Sequence, residues 1–216
     1  MIDLVLYHFP GACSQVAVCA LEMAGLSYRT ELVDLAKGAQ LEPGYLAVSP
    51  LGKVPMLVID GVPLAENSAI LTFIAASAPS AGIFPADPTP LMAAEAVGGM
   101  SFCSGTLHPQ IRGLANPARL STGDPEGVRA QSRLLLKKSL SYAEARLADR
   151  GWWLGTVSIV DVYLHWAASV ARRNGFEGSF PHVDGLAARL RAALPAYIAM
   201  EANNTAARAA LGMAVA

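Results

Sequence analysis

Cys13 and Ser14 follow Phe9-Pro10-Gly11-Ala12, where the chain leaves an apolar strand pattern and enters a helical one. A thiol placed there lies against the partial positive charge of a helix N-terminus, which favours the thiolate. Cys13 is therefore a candidate nucleophile, and the Ser14 hydroxyl a candidate donor to a bound sulfur. The competing reading of Cys13 is a half-buried packing residue. A second constellation is Gly52-Lys53-Val54-Pro55-Met56-Leu57, followed by Glu66-Asn67-Ser68. Pro55 cannot donate a ladder hydrogen bond, so it marks an edge, a strand start or a cis turn. A cis bond would turn the Val54 N–H and C=O outward, able to pair with an extended peptide ligand. Residues 66–68 open a helix carrying Ile70, Leu71, Phe73 and Ile74, whose first-turn N–H groups can receive an anion. The same three residue types are natural helix caps, and capping and ligand binding are compatible. The two motifs together read as a ligand-binding surface made mostly of backbone.

The remaining candidates carry less. His8, His165 and His182 fall in no cluster with metal-ligand spacing, and no metal site is expected. His108, in Thr106-Leu107-His108-Pro109, is a lone helical histidine. Trp152-Trp153 reads as a packing anchor, and Trp166 as core or cavity lining. Cys19 and Cys103 lie inside apolar helical patterns and read as core. Three cysteines cannot all pair and form no Cys-x-x-Cys, so a reducing cytoplasm is expected.

These groups need elements to hold them. Ile2–Tyr7 reads as a strand and Ser14–Met23 as a helix ended by Gly25; Tyr28–Val33 reads as a second strand. After a loop and a helical turn at 45–48 come strand Met56–Ile59, an Asp60-Gly61 turn and return strand Val62–Ala65. The order βαβ, loop, ββα predicts an α+β thioredoxin-like N-terminal domain over residues 1–78. Pro79, Gly82, Pro85, Pro88 and Pro90 make 79–90 a linker. An all-α domain over 91–216 follows, with Leu136, Leu140, Ala143 and Leu147 on one face and a loop or interruption within 113–127. Ser158-Ile159-Val160-Asp161 has capping-box spacing before an apolar central helix bearing Val162, Tyr163, Trp166, Ala167 and Val170.

The 216 residues suit one large or two small domains, and a formal charge of −1 leaves no footprint for nucleic acid. Apolar stretches are interrupted by Pro10-Gly11 and by Asp161 and His165, short of a membrane span. Asp3 and Pro10 break any signal-like opening.

The whole chain resembles the glutathione S-transferase family, most strongly over residues 4–75 and 151–166. Pro10-Gly11-Ala12-Cys13-Ser14 looks like the bacterial beta-type signature, in which a cysteine lies next to the glutathione sulfur. The resemblance implies glutathione as co-substrate, no metal, a small hydrophobic electrophile as second substrate, a role in detoxification and a homodimer. It implies that Val54 pairs with the cysteinyl backbone of glutathione with Pro55 cis. Glu66 and Asn67 would take the γ-glutamyl end and Lys53 a carboxylate, with Ser68 also among the glutathione-binding residues. His108 matches a helical-domain histidine that faces the active site, making Cys13, Ser14 and His108 the catalytic candidates. Tyr7, Phe9, Arg112 and Trp166 are candidates for a second-substrate pocket between the domains. Ser158 and Asp161 match a capping box that serves folding. Asn67 stands where the family more often has serine, and Tyr7 lies near where other branches place a catalytic tyrosine. Cys13, Ser14 and Tyr7 thus all remain open as the group that addresses the sulfur.

The implied chemistry is activation of the glutathione thiol and attack on an electrophilic carbon. The alternatives are glutathione-dependent thiol–disulfide exchange or peroxide reduction through Cys13, and a noncatalytic binding protein on the same scaffold.

Overall fold

The structure is a computed structural model, and it describes residues 2–214. The described residues divide into two compact units, residues 2–86 with 194–214, and residues 87–193.

In the first unit, strand β1 (Leu4–His8) leads through the 9–13 loop into helix α1 (Ser14–Ala24), and Gly25, left-handed at φ 60, closes that helix. Strand β2 (Arg29–Leu32) then pairs parallel to β1, with Val5 opposite Arg29. A 3₁₀ turn at Ala39–Leu41 and the short helix α2 (Pro43–Leu46) precede strand β3 (Met56–Ile59), which runs antiparallel to β1 with Leu6 opposite Leu57. Asp60 and Gly61, both with positive φ, make the tight turn into strand β4 (Val62–Ala65), completing a four-stranded sheet of order β2-β1-β3-β4. Helix α3 (Asn67–Ser77) follows at once. The thioredoxin-like α+β organisation expected from the element order is therefore present.

Val16 to Leu21 of α1 are all completely buried, so this helix is apolar all round and must be covered on every side. The sheet and α3 cover part of it. Helix α10 (Pro195–Ala210) covers the rest, with Tyr197, Met200 and Ala207 buried at helical spacing. Residues 194–214, expected to belong to the all-helical domain, pack with the first unit for this reason.

The second unit is helical: α4 (Pro90–Ser101), a π-helical stretch at Phe102–Leu107, α5 (His108–Ala115), α6 (Pro125–Arg150), α7 (Ile159–Arg173), α8 (Pro181–Asp184) and α9 (Leu186–Ala193). Pro109 has no N–H for a regular i→i−4 bond, and the wide turn just before it accommodates that loss. The anticipated interruption within 113–127 is the break between α5 and α6, with a 3₁₀ turn at Pro117–Arg119. Leu136, Leu140, Ala143 and Leu147 are buried along one face of α6 as expected. Of residues 79–90, read as a linker, Pro79–Ala81 form a 3₁₀ turn and Pro90 already opens α4. The capping box forms at α7. Asp161 accepts from the Ser158 N–H at 2.9 Å, the Ser158 hydroxyl at 3.0 Å and the Trp153 N–H at 2.8 Å, all buried. Among the described residues no helix is long and apolar enough to cross a membrane.

Candidate functional site

The two sequence motifs converge on Cys13. This residue occupies the cap position of α1 and is nearly buried; its Sγ points to the Val54 carbonyl at 3.5 Å. The Asn67 side chain, at the start of α3, donates Nδ2–H to the Cys13 carbonyl at 2.9 Å. Cys13 is thus tied through its thiol to the segment before β3 and through its backbone carbonyl to the first residue of the following helix. The Val54–Pro55 bond is cis.

The segment before β3 is held from behind. The Tyr45 hydroxyl donates to the Lys53 carbonyl at 2.6 Å and the Ser49 hydroxyl donates to it at 3.0 Å; the Lys53 N–H donates to Ser49 Oγ at 3.2 Å. Burial raises the Tyr45 phenol above its ordinary value, keeping it a donor. Gly52 is left-handed at φ 58, and a Cβ there would meet the Gln40 carbonyl at 2.8 Å, so the Gly52-Lys53-Val54 sequence requires its glycine. Tyr45 and Ser49 are positioning residues that the sequence reading did not single out. A hydroxyl three residues ahead of Gly52, in Ser49-Pro50-Leu51-Gly52, was the available signal.

Ser14 is corrected by its surroundings. It is completely buried, with its Oγ 2.8 Å from His8 Nδ1 and accepting from the Phe9 N–H at 3.2 Å. Its hydroxyl faces inward, so it braces the loop and is not placed as a donor to a ligand sulfur. Asn67 is corrected likewise: its side chain is buried with Nδ2 committed to Cys13, and its Oδ1 has no hydrogen-bond partner among the described residues. What position 67 offers a ligand is the backbone N–H of a helix start. Glu66 is exposed at the α3 cap position with φ 69 and ψ 124, and makes no side-chain cap bond. Ser68 is half-buried and the Lys53 side chain exposed. Tyr7 is half-buried against Tyr45, ring centroids 5.3 Å apart, and Phe9 is half-buried in the loop.

Within the second unit, His108 opens α5 and meets the buried Trp166 ring edge-on at 4.9 Å between centroids. Arg112 lies one turn further along α5 and is exposed. Cys19 and Cys103 are fully buried, as expected for core residues. Burial pushes the Cys19 thiol up to about 12 and the Cys103 thiol up as well, so both are inert near neutrality. None of the three cysteines is in a disulfide. The described residues contain no group of three or more His, Cys, Asp or Glu able to hold a metal ion.

His8 is completely buried, and burial lowers its imidazole to about 4 against a raising pull from Asn204. The unfolded chain takes up this proton near its ordinary 6.5 and the folded chain only near 4. Stability from this group is therefore full above 6.5 and lost as pH falls through that window, about 3 kcal/mol in all. In denaturant melts at about pH 7 and about pH 4, His8→Phe is expected to lose less stability on acidification than the parent, by roughly this amount. An equal acid loss in both proteins contradicts it.

Residues 2–76 match the family model for the glutathione S-transferase N-terminal domain. The chain is 32% identical over 175 residues to a glutathione S-transferase of Xanthomonas campestris, covering 80% of this chain and 84% of that one. It is 30% identical over 184 residues to a maleylacetoacetate isomerase of Pseudomonas aeruginosa, covering 82% and 85%. Among solved structures, a Sulfitobacter glutathione transferase homologue with bound glutathione superposes with a TM-score of 0.84 at 28% identity, over 94% of this chain and 99% of that one. A bacterial beta class enzyme also superposes along most of the chain. With its cysteine loop, the proline before β3 and the polar start of α3 gathered in one sheet-and-helix unit, the chain is an enzyme of the glutathione S-transferase family, of bacterial beta-like type.

Proposed function

We propose that the protein binds glutathione along Val54 and the start of α3 and activates its thiol for attack on a small hydrophobic electrophile. The observation that carries this reading is the convergence on Cys13 of the Val54 carbonyl and the Asn67 amide. The cysteinyl backbone pairs with Val54, and the γ-glutamyl carboxylate lies on the first-turn N–H groups of α3, with Glu66 toward its ammonium. The ligand sulfur then sits beside Cys13 at the start of α1. A shift of about two units in its pKa corresponds to roughly 2.7 kcal/mol of thiolate stabilisation, within what a helix start and one thiol donor supply. With Ser14 turned inward, Cys13 is the donor this site presents. His108 and Trp166 are kept as candidates for contacting the second substrate, with Arg112, Tyr7 and Phe9.

A second reading is favoured by the Cys13 sulfur itself, which lies against the carbonyl assigned to the ligand's cysteinyl group. The Cys13 thiolate would attack a glutathione mixed disulfide, forming a Cys13–glutathione disulfide and releasing the other thiolate, which takes up a proton. A second glutathione thiolate would then release Cys13 and leave as glutathione disulfide. A panel of aryl halides, epoxides, activated alkenes, maleylacetoacetate and mixed disulfides, each assayed with glutathione, separates the readings. Turnover of carbon electrophiles supports the first; turnover confined to disulfides selects the second.

Glu66 gives a sharper test of the ligand surface. Its positive φ costs a non-glycine residue about 1–3 kcal/mol, which a glycine would relieve at an entropic cost of about 0.5–1 kcal/mol. Glu66→Gly is expected to melt at or above the parent's temperature while binding glutathione about tenfold more weakly. Unchanged affinity removes Glu66 from the site. A cytoplasmic homodimer is part of this reading; Leu91 and Val97 on α4 and Leu134 and Tyr142 on α6 are exposed apolar side chains that a second copy would cover. Sedimentation velocity checks it.

A further inference from the structure

Behind the Cys13 loop a partly buried chain of hydrogen bonds joins Ser14 of the cysteine motif to His8 and to Asn204, which lies outside the motifs above. Asn204, on α10, places Oδ1 3.1 Å from His8 Nε2, while its Nδ2 lies 2.9 Å from Met200 Sδ and 3.4 Å from Gln15 Oε1. With Nδ2 facing those acceptors, Oδ1 is the acceptor toward His8, so the imidazole carries its proton on Nε2 and leaves Nδ1 as an acceptor. Ser14 Oγ–H then donates to Nδ1 at 2.8 Å and in turn accepts the Phe9 N–H at 3.2 Å. The Ser14 hydroxyl also lies 3.3 Å from the Phe9 carbonyl, and the relay ends on both flanks of the loop that carries Cys13. The neighbouring Asn203 also reaches off α10, but to the Tyr28 hydroxyl at 3.3 Å, which in turn donates to Glu22 in the last turn of α1, away from the loop at its start.

We propose that His8 and Asn204 are positioning residues for Cys13: helix α10, through the Asn204 carboxamide and the His8 ring, holds Ser14 and so fixes the loop that presents the thiol. The proposal rests on reading that loop as the thiol site, and it makes α10 a working part of the site's scaffold. Losing Asn204 Oδ1 leaves His8 Nε2–H without its acceptor in a buried position, which loosens the loop locally.

The test compares Asn204→Leu with Asn203→Leu, each as full-length protein, by alkylation with iodoacetamide and peptide mass spectrometry. Cys19, wholly buried in the same unit, reports global opening, so the ratio of Cys13 to Cys19 labelling isolates the loop. Asn204→Leu is expected to raise that ratio about tenfold, the size expected for one lost hydrogen bond, with Asn203→Leu staying within about twofold of the parent. A ratio in Asn204→Leu that matches the parent, or that rises equally in Asn203→Leu, overturns the proposal. Should Asn204→Leu not fold, Asn204→Ser is too short to reach His8 and carries the same expectation. Labelling needs no glutathione, so a protein that failed to bind glutathione would lose the functional reading and still give this result.

Discussion

With Cys13 replaced by alanine, glutathione is expected to bind within a few-fold of the parent affinity while disulfide exchange falls by at least about 100-fold. The ligand's assigned contacts are the Val54 backbone and the start of α3, and neither depends on the Cys13 side chain. Asn67 donates to the Cys13 carbonyl, which alanine retains. Exchange needs a protein sulfur that forms and breaks a disulfide, and Cys19 and Cys103 are buried with their thiols pushed up. Conjugation is expected to fall about tenfold, through loss of one donor beside the ligand sulfur, with kcat affected more than KM. Steady-state kinetics on both reactions check this. Exchange persisting in Cys13→Ala would remove the mixed disulfide from the account, and conjugation abolished outright would make Cys13 more than a donor.

The second large effect is on folding. Asp161→Ala is expected to cost about 3 kcal/mol near neutral pH, and more in acid. Three buried donors, the Trp153 N–H and the N–H and hydroxyl of Ser158, lose their acceptor. Each orphaned donor costs about 1–3 kcal/mol. Against this, burial pushes the Asp161 carboxyl up to about 6 despite the lowering pull of the Trp153 and Ser158 hydrogen bonds. Keeping it charged above that pH costs the parent about 3 kcal/mol, which the variant no longer bears. The sign follows from the raised value. The unfolded carboxyl ionises near 3.8 and the folded one near 6, so the parent gains stability from this group as pH falls through that window. The gap between parent and variant therefore widens between about pH 7 and about pH 4, opposite to the behaviour of a carboxylate held mainly by an ion pair. Chemical denaturation at the two pH values measures it, and a gap that narrows in acid contradicts the assignment.

The elements of the first unit were legible because their signals are local. Gly25 ends α1, Asp60-Gly61 turns β3 into β4, and the Pro55 entry marks the strand start. Hydroxyl-to-acid spacing at Ser158 and Asp161 located the start of α7 for the same reason. The partner of α10 was not legible, because its alanine-rich apolar face fits any helix and only the all-round burial of α1 decides which. Side-chain direction was the other blind spot. Ser14 and Asn67 have the right types to face a ligand, and the sequence places them correctly beside Cys13 and α3. Their hydroxyl and amide turn inward because buried groups earlier in the chain, His8 on β1 and the Cys13 carbonyl, hydrogen-bond them. Local residue type names a site's positions; which way each polar group points is set by partners outside its own motif.

Everything assigned to the site depends on glutathione being held by Val54 and α3. Calorimetric titration of the reduced protein with reduced glutathione tests that most directly. The account predicts saturable binding, one glutathione per chain, with Kd between roughly 10 μM and 1 mM, and about tenfold weaker binding in Glu66→Gly. No heat of binding up to about 10 mM glutathione, from a protein that melts cooperatively, would contradict it.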